Sequence, residues 1–145
     1  MRVVAQRVDS AEVEVDGAPV AHIDGGLLCF VGIGRDDDRE AVERMAEKLA
    51  GLRVFSDETG MMNLAVSDTG GSVLVVSQFT LYGDTAKGNR PSFIAAAPPS
   101  VAEPLVSALT ESLRSKGLDV QEGVFGAMMR VKIVNVGPVT ILLEI

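Results

Sequence analysis

One cysteine and one histidine in 145 residues remove several chemistries before any motif is read. A disulfide framework, a Cys/His zinc site and a Cys-x-x-C redox pair each need more such residues than the chain has. Positive charge is also scarce: 13 Lys and Arg stand against 20 Asp and Glu, giving a formal charge of −7 and a pI near 4.6. That balance argues against a protein that coats nucleic acid, because bulk phosphate binding needs clustered cations. No long apolar run is present, although 47% of the residues are apolar and the mean hydropathy is +0.28. The longest uncharged stretch, Thr69 to Gly83, is broken by glycines and hydroxyls and falls short of the roughly 20 residues of a spanning helix. Arg2, Arg7 and Asp9 interrupt the place where a signal peptide would carry its apolar segment. The expectation is a cytoplasmic protein with Cys29 reduced and a single domain over residues 1–145.

The residues that are present alternate between two periods. Val3, Val4 and Val8, then Ala11, Val13 and Val15 between Glu12 and Glu14, predict strands, and Asp16-Gly17 is a hairpin signal. Leu27 to Ile33 is apolar without alternation, so both faces of that strand should be buried. Ala41, Val42, Met45, Ala46 and Leu49 fall on one helical stripe behind Asp36, Asp37 and Asp38, which predicts a helix over about 37–50 with acids at its positive end. A short strand is expected over 52–55 and a longer one over 72–81. Gly83 to Pro99 should be a surface loop or short helical turn. A second helix is expected over about 100–116, with Ser100 and Glu103 at capping-box spacing and Pro104 weakening that cap. Strands over 120–124, 128–136 and 139–144 close the chain, the last two joined near Gly137-Pro138. The pattern is α/β: one compact domain with a mixed sheet and two main helices.

Few side chains look catalytic in the usual sense. His22 lies among apolar neighbours with no serine beside it and reads as a surface or hydrogen-bonded histidine; Cys29, mid-strand, reads as a small buried hydrophobe. Asp36 to Asp38 lack the alternating spacing of a calcium loop and read as a solvated helix start. Three polar interruptions are more informative. Ser77, Gln78 and Thr80 end an apolar strand, and alternation would set Gln78 and Thr80 on one face and Ser77, Phe79 and Leu81 on the other. This is either a ligand-facing strand end, with free amides toward an oxyanion, or an ordinary strand fraying into a turn. Lys87-Gly88-Asn89-Arg90-Pro91-Ser92-Phe93 is either a phosphate or base contact or a solvated loop anchored by one Phe. Asn135-Val136-Gly137-Pro138-Val139-Thr140 reads locally as a hairpin turn.

Taken together, Ser77-Gln78-Phe79-Thr80-Leu81 and Asn135-Val136-Gly137-Pro138-Val139-Thr140 resemble, in order and separation, the two signature motifs of the D-aminoacyl-tRNA deacylase (D-tyrosyl-tRNA deacylase) family. The opening Met1 to Val8, the Gly88 to Phe93 loop and Phe125-Gly126-Ala127-Met128-Met129 are similar to further family segments, so the resemblance covers nearly the whole chain. It implies a pseudo-barrel fold and a homodimer. The implied activity is hydrolysis of the ester joining a D-amino acid, and also glycine, to the 3′-terminal adenosine of tRNA. Gly137-Pro138 would form a cis peptide that enters the partner's pocket and occupies the space an L side chain needs, with Arg7 holding it. Amides near Phe79 and Thr80 would bind the oxyanion, with Ser77 and Gln78 shaping the ester end, and the adenosine 2′-hydroxyl would assist. Thr80 as nucleophile is the older alternative. Phe125 and Met129 would line the adenosine pocket, with Asn135 and Thr140 also counted as substrate-binding and Lys87, Asn89 and Arg90 as tRNA contacts. No metal, cofactor or covalent intermediate is implied. The chain departs from many family members at Met128, usually acidic or polar, and at Val136, often Asp.

Two rivals remain at this level. One is the related editing of tRNA mischarged with L-alanine, which uses a trans Gly-Pro; the other is a non-catalytic nucleotide- or protein-binding module on the same fold. The acidic balance limits a tRNA contact to the acylated 3′ end, about two or three phosphates, with a correspondingly gentle salt dependence.

Overall fold

The computed structural model describes residues 1–145. Its organising element is the first strand, β1 (Arg2–Val15), whose Val3, Ala5, Val8, Ala11 and Val13 are all buried. Asp16 and Gly17, both at positive φ, turn the chain into β2 (Ala18–Ile23), which pairs antiparallel with the second half of β1. This is the hairpin that Asp-Gly favours, because both central residues of a type I′ turn need positive φ. β3 (Gly26–Gly32) pairs antiparallel with the first half of β1. β6 (Ser72–Ser77) then runs parallel to β3, and β7 (Val120–Glu122) parallel to β6, so the sheet is mixed as expected. On its other side β1 is covered along its whole length by β8 (Met129–Glu144). β4 (Phe55–Ser56) and β5 (Met62–Leu64) make a separate small ribbon.

The six-stranded sheet curls toward a barrel and thereby has two apolar faces. Val8, Ala11, Val13, Ala21, Ile23, Leu28, Leu74 and Val76 fill the inner face. The outer face meets the two helices, α1 (Arg39–Ala50) and α2 (Pro99–Ser115), through Leu27, Cys29, Val31, Val73 and Val75 against Val42, Met45, Leu49, Leu105, Leu109 and Leu113. That is why residues 27–31 and 73–76 are apolar without alternation: successive side chains enter different cores. Each fully buried leucine contributes about 1.5–3 kcal/mol by leaving water. No helix is long and apolar enough to cross a membrane.

The helix starts follow from side-chain chemistry. Asp38 caps α1 by accepting from the Ala41 amide at 2.9 Å, which satisfies one of the orphan donors of the first turn. α2 begins differently from the expectation: its cap is Pro98, with Pro99 first in the helix and no side-chain cap bond, so Ser100 and Glu103 lie inside it. Proline suits that first position because its missing N–H is not needed there.

Three other expectations are corrected. The strand over 52–55 survives only at Phe55–Ser56. The strand over 72–81 stops at Ser77, and Phe79–Tyr82 forms a 3-10 turn, so strand alternation does not govern residues 78–81. Residues 128–136 and 139–144 are not a hairpin, because both halves pair with the same strand, β1. Gln6 faces Thr140 and Val8 faces Asn135, so the single residue Arg7 stands opposite the four residues 136–139. The Gly137-Pro138 peptide within this bulge is cis.

Candidate active site

The parallel strands β3 and β6 end side by side, with Val31 in register with Ser77. Ligands in α/β sheets bind outside the carboxyl ends of such strands. A cavity of about 790 Å³ opens there, and 14 of its 20 lining residues are apolar. Its floor and walls come from Val31, Ile33, Ala97, Ala102, Val106 and Phe125, while Ser77, Gln78 and Phe79 bring polarity to one edge. Arg35 is the one charged side chain on the whole lining.

The polar edge is built by a change of backbone direction. The Gln78 amide still bonds to the Val31 carbonyl at 2.7 Å, and the chain then leaves the sheet into the 3-10 turn. The amides that open a helical turn have no acceptor inside it, so those of Phe79 and Thr80 remain available to a developing oxyanion. Gln78 Nε2 donates to Thr80 Oγ1. The Thr80 hydroxyl is therefore engaged by an amide rather than by a histidine, amine or carboxylate that could remove its proton. Phe79, 58% exposed, meets Phe93 edge to face at 5.0 Å between centroids, which fixes one lip of the cavity.

The turn is seated against glycines. A Cβ on Gly32 would come within 3.0 Å of the Gln78 carbonyl oxygen, and one on Gly34 within 2.7 Å of the Tyr82 hydroxyl. Asp37 ties the same region together, accepting from the Gly34 amide at 2.5 Å, from the Tyr82 hydroxyl at 3.4 Å and from the amino group of Met1. Partial burial, and then the negative charge of Asp37, push the Tyr82 phenol up to about 12. Arg2 stacks over the Tyr82 ring at 4.7 Å and donates to the Leu81 carbonyl at 3.0 Å.

A second polar assembly forms at the β8 bulge. Arg7 donates through Nη1 to the Val54 carbonyl at 2.6 Å and through Nε to that of Val136 at 3.4 Å. Asn135 Nδ2 bridges the carbonyls of Arg7 and Val139 at 2.9 and 3.0 Å, and Gln6 donates to the Thr140 hydroxyl at 3.2 Å. Gly137 and Pro138 themselves are exposed. Arg7 and Val136 line a different cavity of about 630 Å³, which also holds His22 and Asp24. His22 is hydrogen-bonded to Asp24 at 3.2 Å, as the sequence suggested. Cys29 is fully enclosed, and burial pushes its thiol up to about 12.

The residues singled out in the sequence thus fall into three groups. Ser77, Gln78, Phe79, Phe125 and Met129 meet at the large cavity, with Thr80 next to them in the turn. Arg7, Asn135, Gly137, Pro138 and Thr140 meet at the bulge and do not line that cavity. Lys87, Asn89 and Arg90 are exposed on a loop pinned by the Asp84–Ser92 pair and do not line it either. Sequence reasoning missed Arg35, Asp37, Gly32 and Gly34. The glycines between apolar residues, Val31-Gly32-Ile33-Gly34, were the available signal of a close backbone approach.

Known proteins match this chain almost end to end. Residues 4–144 match the family described as D-Tyr-tRNA(Tyr) deacylase. A protein of Anaeromyxobacter dehalogenans named D-aminoacyl-tRNA deacylase is 56% identical, covering 99% of this chain and 97% of its own. One of the same name from Brevibacillus brevis is 54% identical, covering 99% of both. Among solved structures, the c-Myc DNA Unwinding Element Binding Protein superposes with a TM-score of 0.93 at 41% identity, over 99% of this chain and 98% of its own. A probable eukaryotic D-amino acid tRNA deacylase shares the fold at a TM-score of 0.85 and 19% identity, over 99% and 98%. With its fold and its sequence in agreement almost from end to end, the chain belongs to the D-Tyr-tRNA(Tyr) deacylase family.

Proposed function

We propose that this protein hydrolyses the ester of D-aminoacyl-tRNA, and of glycine mischarged on tRNA, to release the free amino acid and tRNA. The observation that carries the reading is the convergence of Ser77, Gln78 and Phe79 with Phe125 and Met129 on one apolar cavity, in a chain of this family. The cavity, at about 790 Å³, has room for an adenosine and an amino acid together.

The terminal adenosine lies among Phe125, Met129 and the alanine- and proline-lined wall, and its 3′-ester faces the Ser77–Thr80 edge. Water adds to the ester carbonyl, and the amides of Phe79 and Thr80 receive the negative charge that develops on its oxygen. The bond from the acyl carbon to O3′ then breaks, and the proton given up by water ends on O3′. Arg35 is the one ionisable side chain on the lining, and a guanidinium donates hydrogen bonds without accepting them, so it is no general base. The 2′-hydroxyl beside the ester is the group left to relay that proton.

Selection between mirror-image substrates falls to Gly137 and Pro138 of a second copy of the chain. Two observations support this. These residues are exposed yet do not line the cavity of their own chain. The outer edge of β8 is unpaired and carries exposed Val134 and Leu142, a surface suited to a homodimer. Backbone carbonyls placed where an L side chain must go reject it, and a D side chain, or none, is left free.

Release of D-Tyr from D-Tyr-tRNA, run beside L-Ala from L-Ala-tRNA, tests the reading. D-Tyr release alone is expected. Preferential L-Ala release would identify the L-alanine editing activity, and release of neither a binding module.

A further inference from the structure

We propose that Arg35 binds the phosphate on the 5′ side of the terminal adenosine, and so provides the main anionic contact to the tRNA end. The inference rests on the function proposed above and adds to it a phosphate subsite at the cavity mouth. Arg35 is four residues beyond Val31, on the same carboxyl-terminal side of the parallel strands that carries Ser77. It is exposed, and it is the one charged side chain among the 20 that line the cavity.

Its geometry is that of a held cation with its head free. Nε donates to the Ile94 carbonyl, and the Arg35 amide bonds to the Ala95 carbonyl at 3.2 Å. Arg35 enters none of the ion pairs of the chain. Its two terminal nitrogens therefore remain available as a fork for a phosphate. The other arginines near the two assemblies are engaged: Arg2 with Glu144 at 2.8 Å, and Arg7 with the carbonyls of Val54 and Val136.

The substrate supplies the matching charge at the matching place. An adenosine whose 3′-ester reaches the Ser77 edge must lead out of the cavity through its 5′ side, where the chain continues as a phosphodiester. With no carboxylate among the lining residues, the exposed guanidinium meets no counter-charge there and can offer the phosphate a forked pair of charge-assisted hydrogen bonds. The same charge repels the protonated amino group of the aminoacyl moiety, which favours the orientation with the phosphate toward Arg35. The Lys87–Arg90 loop does not line this cavity, so any phosphate it meets lies farther along the tRNA.

Adenosine 5′-monophosphate and adenosine, titrated into the protein and its Arg35→Gln variant, test the phosphate contact directly. Glutamine can still donate to the Ile94 carbonyl but carries no charge. The wild type should bind the monophosphate about tenfold more tightly than the nucleoside, and the variant should bind both with the wild-type affinity for adenosine. With D-Tyr-tRNA, the variant should lose about tenfold in kcat/KM through KM, with kcat kept and the slope of log affinity against log salt shallower by about 0.7. Arg35→Lys should recover part of the preference. A wild type that does not prefer the monophosphate overturns the inference. So does a variant that loses adenosine as much as monophosphate, since Arg35 would then only brace residues 94–95. A clear monophosphate preference without any ester cleavage would keep the phosphate subsite and remove the proposed function.

Discussion

Arg7 and Gly137 approach so closely that no side chain fits between them: a Cβ on Gly137 would stand 2.9 Å from Nη2 of Arg7 and 2.8 Å from a methyl of Val139. Gly137 also has φ of +116°, a conformation that L side chains rarely adopt. Gly137→Ala should therefore destabilise the fold by about 1–3 kcal/mol, read as a lower urea midpoint. Arg7→Lys keeps the charge but loses the forked contact to Val54 and Val136. It should leave D-Tyr release measurable while the ratio of D-Tyr to L-Tyr release falls at least about tenfold, or about 1.4 kcal/mol. An unchanged ratio would mean that this bulge takes no part in chiral selection.

Thr80 Oγ1 accepts from Gln78 and has no base beside it. Thr80→Ala should keep activity within about tenfold of the wild type, whereas a lost nucleophile costs several orders of magnitude. Single-turnover hydrolysis of D-Tyr-tRNA measures this. A fall of that larger size with the fold intact would restore Thr80 as nucleophile.

Gly34 and Tyr82 are coupled by contact, since a Cβ on Gly34 would come within 2.7 Å of the phenolic oxygen. Gly34→Ala should cost about 1–3 kcal/mol and slow hydrolysis by displacing the 3-10 turn. In a Tyr82→Ala background, where the phenolic oxygen and the ring carbons at 2.9 and 3.1 Å are all gone, the same substitution should cost clearly less. A double-mutant cycle reads the coupling, and strict additivity would contradict it.

Two neutral acids give the protein an alkaline weakness. Burial raises Cys29 from 9.0 to about 12, and burial with Asp37 raises Tyr82 from 10.0 to about 12. Both groups hold their protons more tightly folded than unfolded. The stability they contribute is complete below about pH 9 and is lost as pH rises toward about 12. The melting temperature should fall steeply between pH 9 and 11, and less steeply in Cys29→Ala. The native thiol should also resist alkylation at pH 8 until the chain is unfolded.

The free edge of β8 carries Val134 and Leu142 at 52% and 61% exposure. The protein should run in solution at twice its 15.2 kDa, and Val134→Lys with Leu142→Lys should run at that single-chain mass and lose hydrolysis. A wild-type monomer with full activity would place the selecting element elsewhere.

What the sequence revealed depended on how local each determinant was. The burial of both faces of residues 27–31 and the Asp16-Gly17 hairpin follow from short patterns that name their own environment, whereas the run of acids marked the start of α1 without singling out Asp38 as its cap. The cavity residues Ser77, Gln78, Phe79, Phe125 and Met129 were legible only through the resemblance of their motifs, because nothing local brings residue 77 to residue 125. The β8 bulge was misread as a hairpin because a Gly-Pro between apolar runs looks the same in either case; pairing of both halves with β1 decides it. Arg35 and Asp37 gave no signal, since a cation or acid near a helix start ordinarily faces solvent.

The central claim, a hydrolase that distinguishes mirror-image esters on the same tRNA, is tested most directly by incubating the purified protein with D-Tyr-tRNA and L-Tyr-tRNA and following the loss of the ester from each. The account predicts rapid release of D-Tyr with L-Tyr-tRNA left at its spontaneous rate. Equal release of both, or of neither, would contradict it.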